Sequence, residues 1–112
     1  MLVDMKKLRN RKILSVRSRF ELAPRPVKWF REALEWDPHE WAWRSRATGD
    51  SRTHEALFRT SDGRWYIHWW ARVPGWPHRW FEIEPAEARA WLERCGYTEA
   101  VRKFFEEREG GK

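Results

Sequence analysis

Apolar and polar residues alternate with a period of two from His54 to Ile83, and two breaks divide this stretch into successive β-hairpins. The first break, Thr60-Ser61-Asp62-Gly63-Arg64, carries Asp-Gly, which tolerates the positive φ that tight hairpins require. With Asp62-Gly63 as a two-residue loop, Phe58 faces Ile67, Ala56 faces Trp69 and Thr60 faces Trp65. The alternate pairs Arg59/Tyr66, Leu57/His68 and Glu55/Trp70 then fall on the opposite side. The second break, Pro74-Gly75-Trp76-Pro77-His78, cannot continue a central strand, because neither proline donates to the ladder. A loop of those residues sets Ala71 against Phe81, Trp69 against Ile83 and Arg72 against Trp80. The layout predicts a core face of Phe58, Trp65, Ile67, Trp69, Ala71, Phe81 and Ile83. Arg59, Arg64, Tyr66, His68, Trp70, Arg72 and Trp80 form the outer face.

The flanks change period. Ile13-Leu14-Ser15-Val16 reads as a short strand, with Leu14 and Val16 on one side. Pro24 and Pro26 position a helix start over Val27 to Trp36, where Trp29, Ala33 and Trp36 recur at i, i+4 and i+7. Asp37-Pro38 ends that helix. From Glu40 the period returns to two: Trp41, Trp43, Ser45 and Ala47 alternate with Ala42, Arg44 and Arg46. This predicts a first strand of the same sheet, antiparallel to the run from Thr53. Trp41 and Trp43 inward would place Arg44 and Arg46 on the outer face, and the opposite register is also open. After Ile83, Glu84-Pro85-Ala86-Glu87 starts a helix with the apolar stripe Ala88, Trp91, Leu92 and Cys95. Gly96 stops it. Thr98 caps a second helix that turns Val101, Phe104 and Phe105 inward.

Composition narrows the function. A chain of 112 residues supports one domain with its own core, here a basic arm at 1–25, a meander at 40–83 and a helical part at 85–108. Ten Trp exceed what a domain of this size readily buries. A single cysteine forbids an intrachain disulfide, and the expected setting is cytoplasmic. No apolar segment suits a signal peptide or a membrane span. Residues 1–31 hold ten Lys/Arg against Asp4 and Glu21, a balance of +8, and the remainder holds thirteen against fifteen, giving the total of +6. Lys6, Lys7, Arg9, Arg11 and Lys12 form the densest run. Such an arm suits a polyanionic partner, or serves only as a solubilising terminus.

Catalytic signatures are absent from the sequence: no Gly-rich phosphate loop and no Gly-x-Ser-x-Gly elbow. His39-Glu40 and His54-Glu55 begin like zinc-protease helices, but Trp43 and Phe58 stand where the second His is required. His68 and His78 approach each other across the second hairpin, yet two imidazoles alone make a poor metal site. Cys95 reads as an inert buried thiol. No cofactor is expected. Alternating arginines and aromatics on an open sheet face suit base stacking with phosphate contact. An N-terminal helix packed on that face would instead make Tyr66, Trp70 and Trp80 a second core layer.

Arg46-Ala47-Thr48-Gly49, His54-Glu55-Ala56-Leu57-Phe58-Arg59-Thr60 and Gly63-Arg64-Trp65-Tyr66-Ile67-His68 resemble a group of small uncharacterised bacterial proteins of plasmids and prophages. Glu87-Ala88, Trp91-Leu92 and Gly96-Tyr97 extend the resemblance over roughly residues 41–97. It implies a meander followed by a helix, and in some relatives a ribbon-helix-helix DNA-binding segment that has no counterpart before Lys112. The family has no established catalytic residues. The sequence therefore predicts an α+β fold: a three- or four-stranded antiparallel meander packed with C-terminal helices and one N-terminal helix. It predicts a non-enzymatic, Trp-rich mobile-element accessory factor that contacts nucleic acid or a nucleoprotein. The alternative is an inhibitor or adaptor that acts on a host protein through its aromatic surface. The basic and aromatic residues named above are the candidate contacts, and no membrane partner is expected.

Overall fold

Gly63 sets the register of the sheet. It lies at φ 86°, its N–H donates to the Thr60 carbonyl at 3.1 Å, and the Thr60 N–H donates to the Arg64 carbonyl at 3.0 Å. The loop therefore holds Ser61, Asp62 and Gly63, with only the last in the left-handed region, rather than Asp62-Gly63 alone. One added loop residue slips the pairing by one: Leu57 faces Ile67, Phe58 faces Tyr66 and Arg59 faces Trp65. Because side chains alternate, the slip exchanges the two faces of this strand relative to the sequence reading. Leu57 turns inward in place of Phe58, and Arg59 leaves the outer face.

The computed structural model describes residues 11–16, 18–22 and 24–106. Its strands are β1 (Arg11–Leu14), β2 (Pro26–Arg31), β3 (Leu34–Asp37), β4 (Ala42–Ser45), β5 (Thr53–Thr60), β6 (Trp65–Ala71) and β7 (Arg79–Ile83). Helices α1 (Pro85–Arg94) and α2 (Thr98–Val101) follow, and a π-helical turn over Arg102–Glu106 continues α2. All pairings are antiparallel: one sheet runs β1-β7-β6-β5-β2 and a second contains β3 and β4. The architecture is α+β, with more strands than the sequence pattern indicated.

The helix face of the large sheet buries Leu57, Trp65, Ile67, Phe81 and Ile83 beneath Ala88, Trp91, Leu92 and Cys95. The stripe read for the first helix is thus correct, and Gly96 at φ 80° ends it. Burial pushes the Cys95 thiol up. Leu57 and Ile67 are fully buried, each worth about 1.5–3 kcal/mol. Tyr97, not Thr98, occupies the cap position of α2, and no side-chain cap bond forms there. Arg11 of β1 reaches into this layer. Its guanidinium donates to Glu55 at 2.9 Å and to Glu87 at 2.7 Å, and the Trp91 indole donates to the other Glu55 oxygen at 3.1 Å.

Three expectations fail here. The region read as one helix from Val27 to Trp36 is β2 and β3, separated by Glu32 and Ala33. Val, Trp and Phe favour a pleated surface, Pro26 occupies the first position of an edge strand, and a short aromatic run fits either period. Glu32 also anchors the break: it accepts the Ser45 hydroxyl at 2.7 Å and the Glu55 N–H at 2.8 Å, and bonds His54 Nδ1. Secondly, β4 does not pair with β5. It pairs with β3, and Trp41 and Trp43 are exposed rather than in the core. Thirdly, Ile67 faces Phe81 and His68 faces Trp80, a shift of four residues from the expected second hairpin. An even shift preserves the faces but lengthens the connection to Arg72–His78 and removes Arg72 from Trp80.

Candidate nucleic-acid interface

The register defines the face opposite the helices row by row. Arg31, Ala56, His68, Trp80 and Leu14 form one cross-strand row, and Trp29, Phe58, Tyr66, Glu82 and Lys12 the next. The centre of this face is a second core layer: Ala56, Phe58, Tyr66 and Trp80 are buried with Leu22, and Leu14, Val16 and Trp70 pack against them. The cover comes from the extended chain around the 3-10 turn Arg19–Glu21, not from an N-terminal helix. Tyr66 and Trp80 therefore do not offer an open stacking surface.

Beside this layer the face opens into a groove of about 370 Å³, lined by Arg19, Phe20, Trp29, His68, Trp70 and His78 among others. Trp29 is 47% exposed and stacks on Phe58 at 6.0 Å with nearly parallel rings. Two guanidiniums lie over Trp29, Arg19 at 5.4 Å and Arg31 at 5.1 Å, and Arg19 also lies 4.9 Å from the Phe20 ring. Trp80 contributes to the wall, and its buried indole N–H has no hydrogen-bond partner among the described residues.

The histidines at the far end of the groove confirm the expected approach across the second hairpin. His68 Nε2 and His78 Nδ1 lie 2.7 Å apart. His68 stacks between aromatic neighbours, 4.5 Å from Trp80 and 4.9 Å from Trp70. Burial, then the neighbouring His78, pushes His68 down to about 4. Since this lies below the ordinary 6.5, the unfolded chain takes the proton more readily. The stabilising contribution is complete above about pH 6.5 and is lost as pH falls towards 4. Melting temperature should drop through that window, and His68→Phe should flatten the drop. An equally steep profile in the variant would assign the effect to other groups.

Ser45, Glu32 and His54 also come together, but in an order unsuited to nucleophilic catalysis. The hydroxyl donates to Glu32 rather than to the imidazole, and accepts the N–H groups of Ala47 and Thr48. Among the described residues no group of three or more His, Cys, Asp or Glu is arranged to hold a metal ion.

The residues singled out by sequence divide as follows. His68 and Trp70 line the groove. Arg11 is engaged with two carboxylates inside the helix layer. Arg59 lies over Trp65 and Phe104 on that same side. Arg64 sits at the hairpin end beside Asp62, and Lys12 is opposite Glu82 on the edge pair β1–β7. Arg44 pairs with Glu35 and Asp37 in the small sheet. Arg46 and Arg72 are exposed, their N–H groups bonded to Ala33 and Arg52 respectively. Lys6, Lys7 and Arg9 lie outside the described residues. Sequence reasoning missed Arg19, Phe20, Trp29 and Arg31. For Trp29 and Arg31 the signal was the alternation Val27, Trp29, Arg31, masked by the helical spacing of Trp29, Ala33 and Trp36; no sequence pattern marked Arg19 or Phe20.

Among the described residues no helix is long and apolar enough to cross a membrane. No protein-family model, curated protein or solved structure matches the chain.

Proposed function

We propose that this chain is a non-enzymatic binding module for single-stranded nucleic acid, acting as an accessory factor of a mobile element. The carrying observation is Trp29: a half-exposed indole with two guanidiniums over it, at the lip of a groove walled by His68 and Trp70. A cation–π contact at an exposed site contributes about 0.5–1 kcal/mol, a weak reason to leave a tryptophan in water. Base stacking on such a ring is worth about 1–3 kcal/mol, and arginines beside it reach phosphates without reading sequence. The overall charge of +6 favours the same partner.

Fluorescence titration with single-stranded oligonucleotides tests this reading. Trp29→Ala should weaken binding by about 1–3 kcal/mol with little loss of melting temperature. Arg19→Ala and Arg31→Ala should each lower the slope of log affinity against log salt by about one. Unchanged affinity and slope in all three variants would overturn the proposal.

A further inference from the structure

The groove has two exposed aromatic walls, supplied by different elements. Trp29 belongs to the edge strand β2, and Phe58 of the second core layer lies parallel to it. Phe20 belongs to the 3-10 turn Arg19–Glu21. That turn is closed by the Glu21 N–H donating to the Ser18 carbonyl at 3.1 Å and the Leu22 N–H to the Arg19 carbonyl at 3.2 Å. Leu22 anchors the turn, buried within the second core layer. Phe20 lies outside that cluster: it is 68% exposed and lines the groove. Covering the sheet therefore accounts for the leucine and not for the phenylalanine.

One guanidinium lies over both rings. The Arg19 guanidinium carbon is 4.9 Å from the centre of the Phe20 ring and 5.4 Å from that of Trp29. These distances bound the two ring centres to within about 10 Å of each other, a spacing that one flat group fills at about 3.5–4.0 Å from each ring. A guanidinium is planar, delocalised and stacks on aromatic faces, so it occupies this slot much as a nucleobase does. A base has the larger π face, and its stacking on an aromatic ring is stronger than an exposed cation–π contact. Entry of a base is therefore favourable, and it releases Arg19 towards the phosphates that arrive with the base. We infer that Phe20 and Trp29 clamp one unpaired base between them, and that Arg19 fills the slot until the base displaces it. This clamp rests on the nucleic-acid reading and adds to it a second stacking residue and a built-in competitor.

Two probes of equal length separate base from phosphate: oligothymidylate, and its abasic counterpart, which keeps the phosphates and lacks the bases. Titration of the full-length chain should show oligothymidylate bound more tightly. Phe20→Leu keeps the apolar bulk but removes the ring. It should weaken oligothymidylate binding about 5- to 10-fold, with abasic affinity, salt slope and melting temperature unchanged. Phe20→Trp should retain the original affinity. Arg19→Ala should bind oligothymidylate more weakly than the unmodified chain at low salt. At high salt it should bind more tightly, because phosphate contacts are screened there and the slot is vacant. The clamp is overturned if Phe20→Leu keeps full affinity while Trp29→Ala loses it, which leaves one stacking platform and the nucleic-acid reading intact. Equal affinity for the two probes also overturns it, reducing the contact to charge. So does weaker binding by Arg19→Ala at both salt concentrations, since a guanidinium that only adds contact is no competitor. Parallel loss of both affinities in Phe20→Leu, with a lower melting temperature, would make the ring structural instead. If neither probe binds the unmodified chain, the nucleic-acid reading fails and the clamp fails with it.

Discussion

Replacing Arg11 with methionine should lower the unfolding free energy by about 3–5 kcal/mol, the usual consequence of removing one partner from a buried ion pair. Arg11 and Glu55 side chains are both only 4% exposed, and Glu87 is the third member. The variant strands two carboxylates, of which only Glu55 keeps a remaining donor, the Trp91 indole. Glu55→Gln should also be costly, because its amide either turns N–H groups towards the guanidinium or abandons the Trp91 N–H. The double variant should recover part of the loss, since Glu55→Gln removes one of the two carboxylates that Arg11→Met strands, Glu87 being the other. Chemical denaturation of the two single variants and the double variant measures the coupling. Strict additivity would mean that the contacts in β1 do not hold the edge strand to the sheet. The result also bears on function. Truncating the basic arm through Arg11 would perturb stability, so the arm's role in polyanion binding is better tested by replacing Lys6, Lys7 and Arg9.

The parts of this fold that local chemistry determines were legible in the sequence. Asp62-Gly63 marked the first hairpin, Pro85 and Gly96 bounded α1, and its stripe of Ala88, Trp91, Leu92 and Cys95 is the buried one. Parity was the weak point. A two-residue and a three-residue loop share the Asp-Gly signal, yet they place opposite faces of β5 against the helices. The Val27–Trp36 region failed for a different reason. Aromatic residues on an edge strand, with one side forming a groove, need not alternate cleanly with polar ones, so helical spacing arose among Trp29, Ala33 and Trp36. What decides the matter is Glu32, whose partners Ser45, His54 and Glu55 are distant in sequence. The candidate site shifted accordingly. The prediction put arginines interleaved with aromatics at Arg59, Tyr66, Trp70, Arg72 and Trp80, whereas Arg31 and, from the 3-10 turn, Arg19 lie over Trp29 at the sheet edge and Tyr66 and Trp80 at its centre are core.

Leu57→Asp should therefore be the most damaging single change in the chain. Leu57 is fully buried beneath the helices. No basic residue shares its cross-strand row Phe30, Leu57, Ile67, Phe81 and Ile13. An unpaired carboxylate there loses the leucine's apolar burial and adds its own desolvation, together more than about 4 kcal/mol. Against a typical total of roughly 5–15 kcal/mol, that leaves a chain largely unfolded at moderate temperature. The far-ultraviolet circular dichroism and the fluorescence of buried Trp91 should both report the loss. Exposure alone would not distinguish the two possible registers, because Phe58 is also buried, in the other layer. Cross-strand NOEs do so in the unmodified chain. Phe58 should show contacts to Trp29 and Trp80, whose ring centroids lie 6.0 and 5.2 Å away, and none to Trp91. NOEs from Phe58 to Trp91 would return it to the helix face, and with it Arg59 to the outer face.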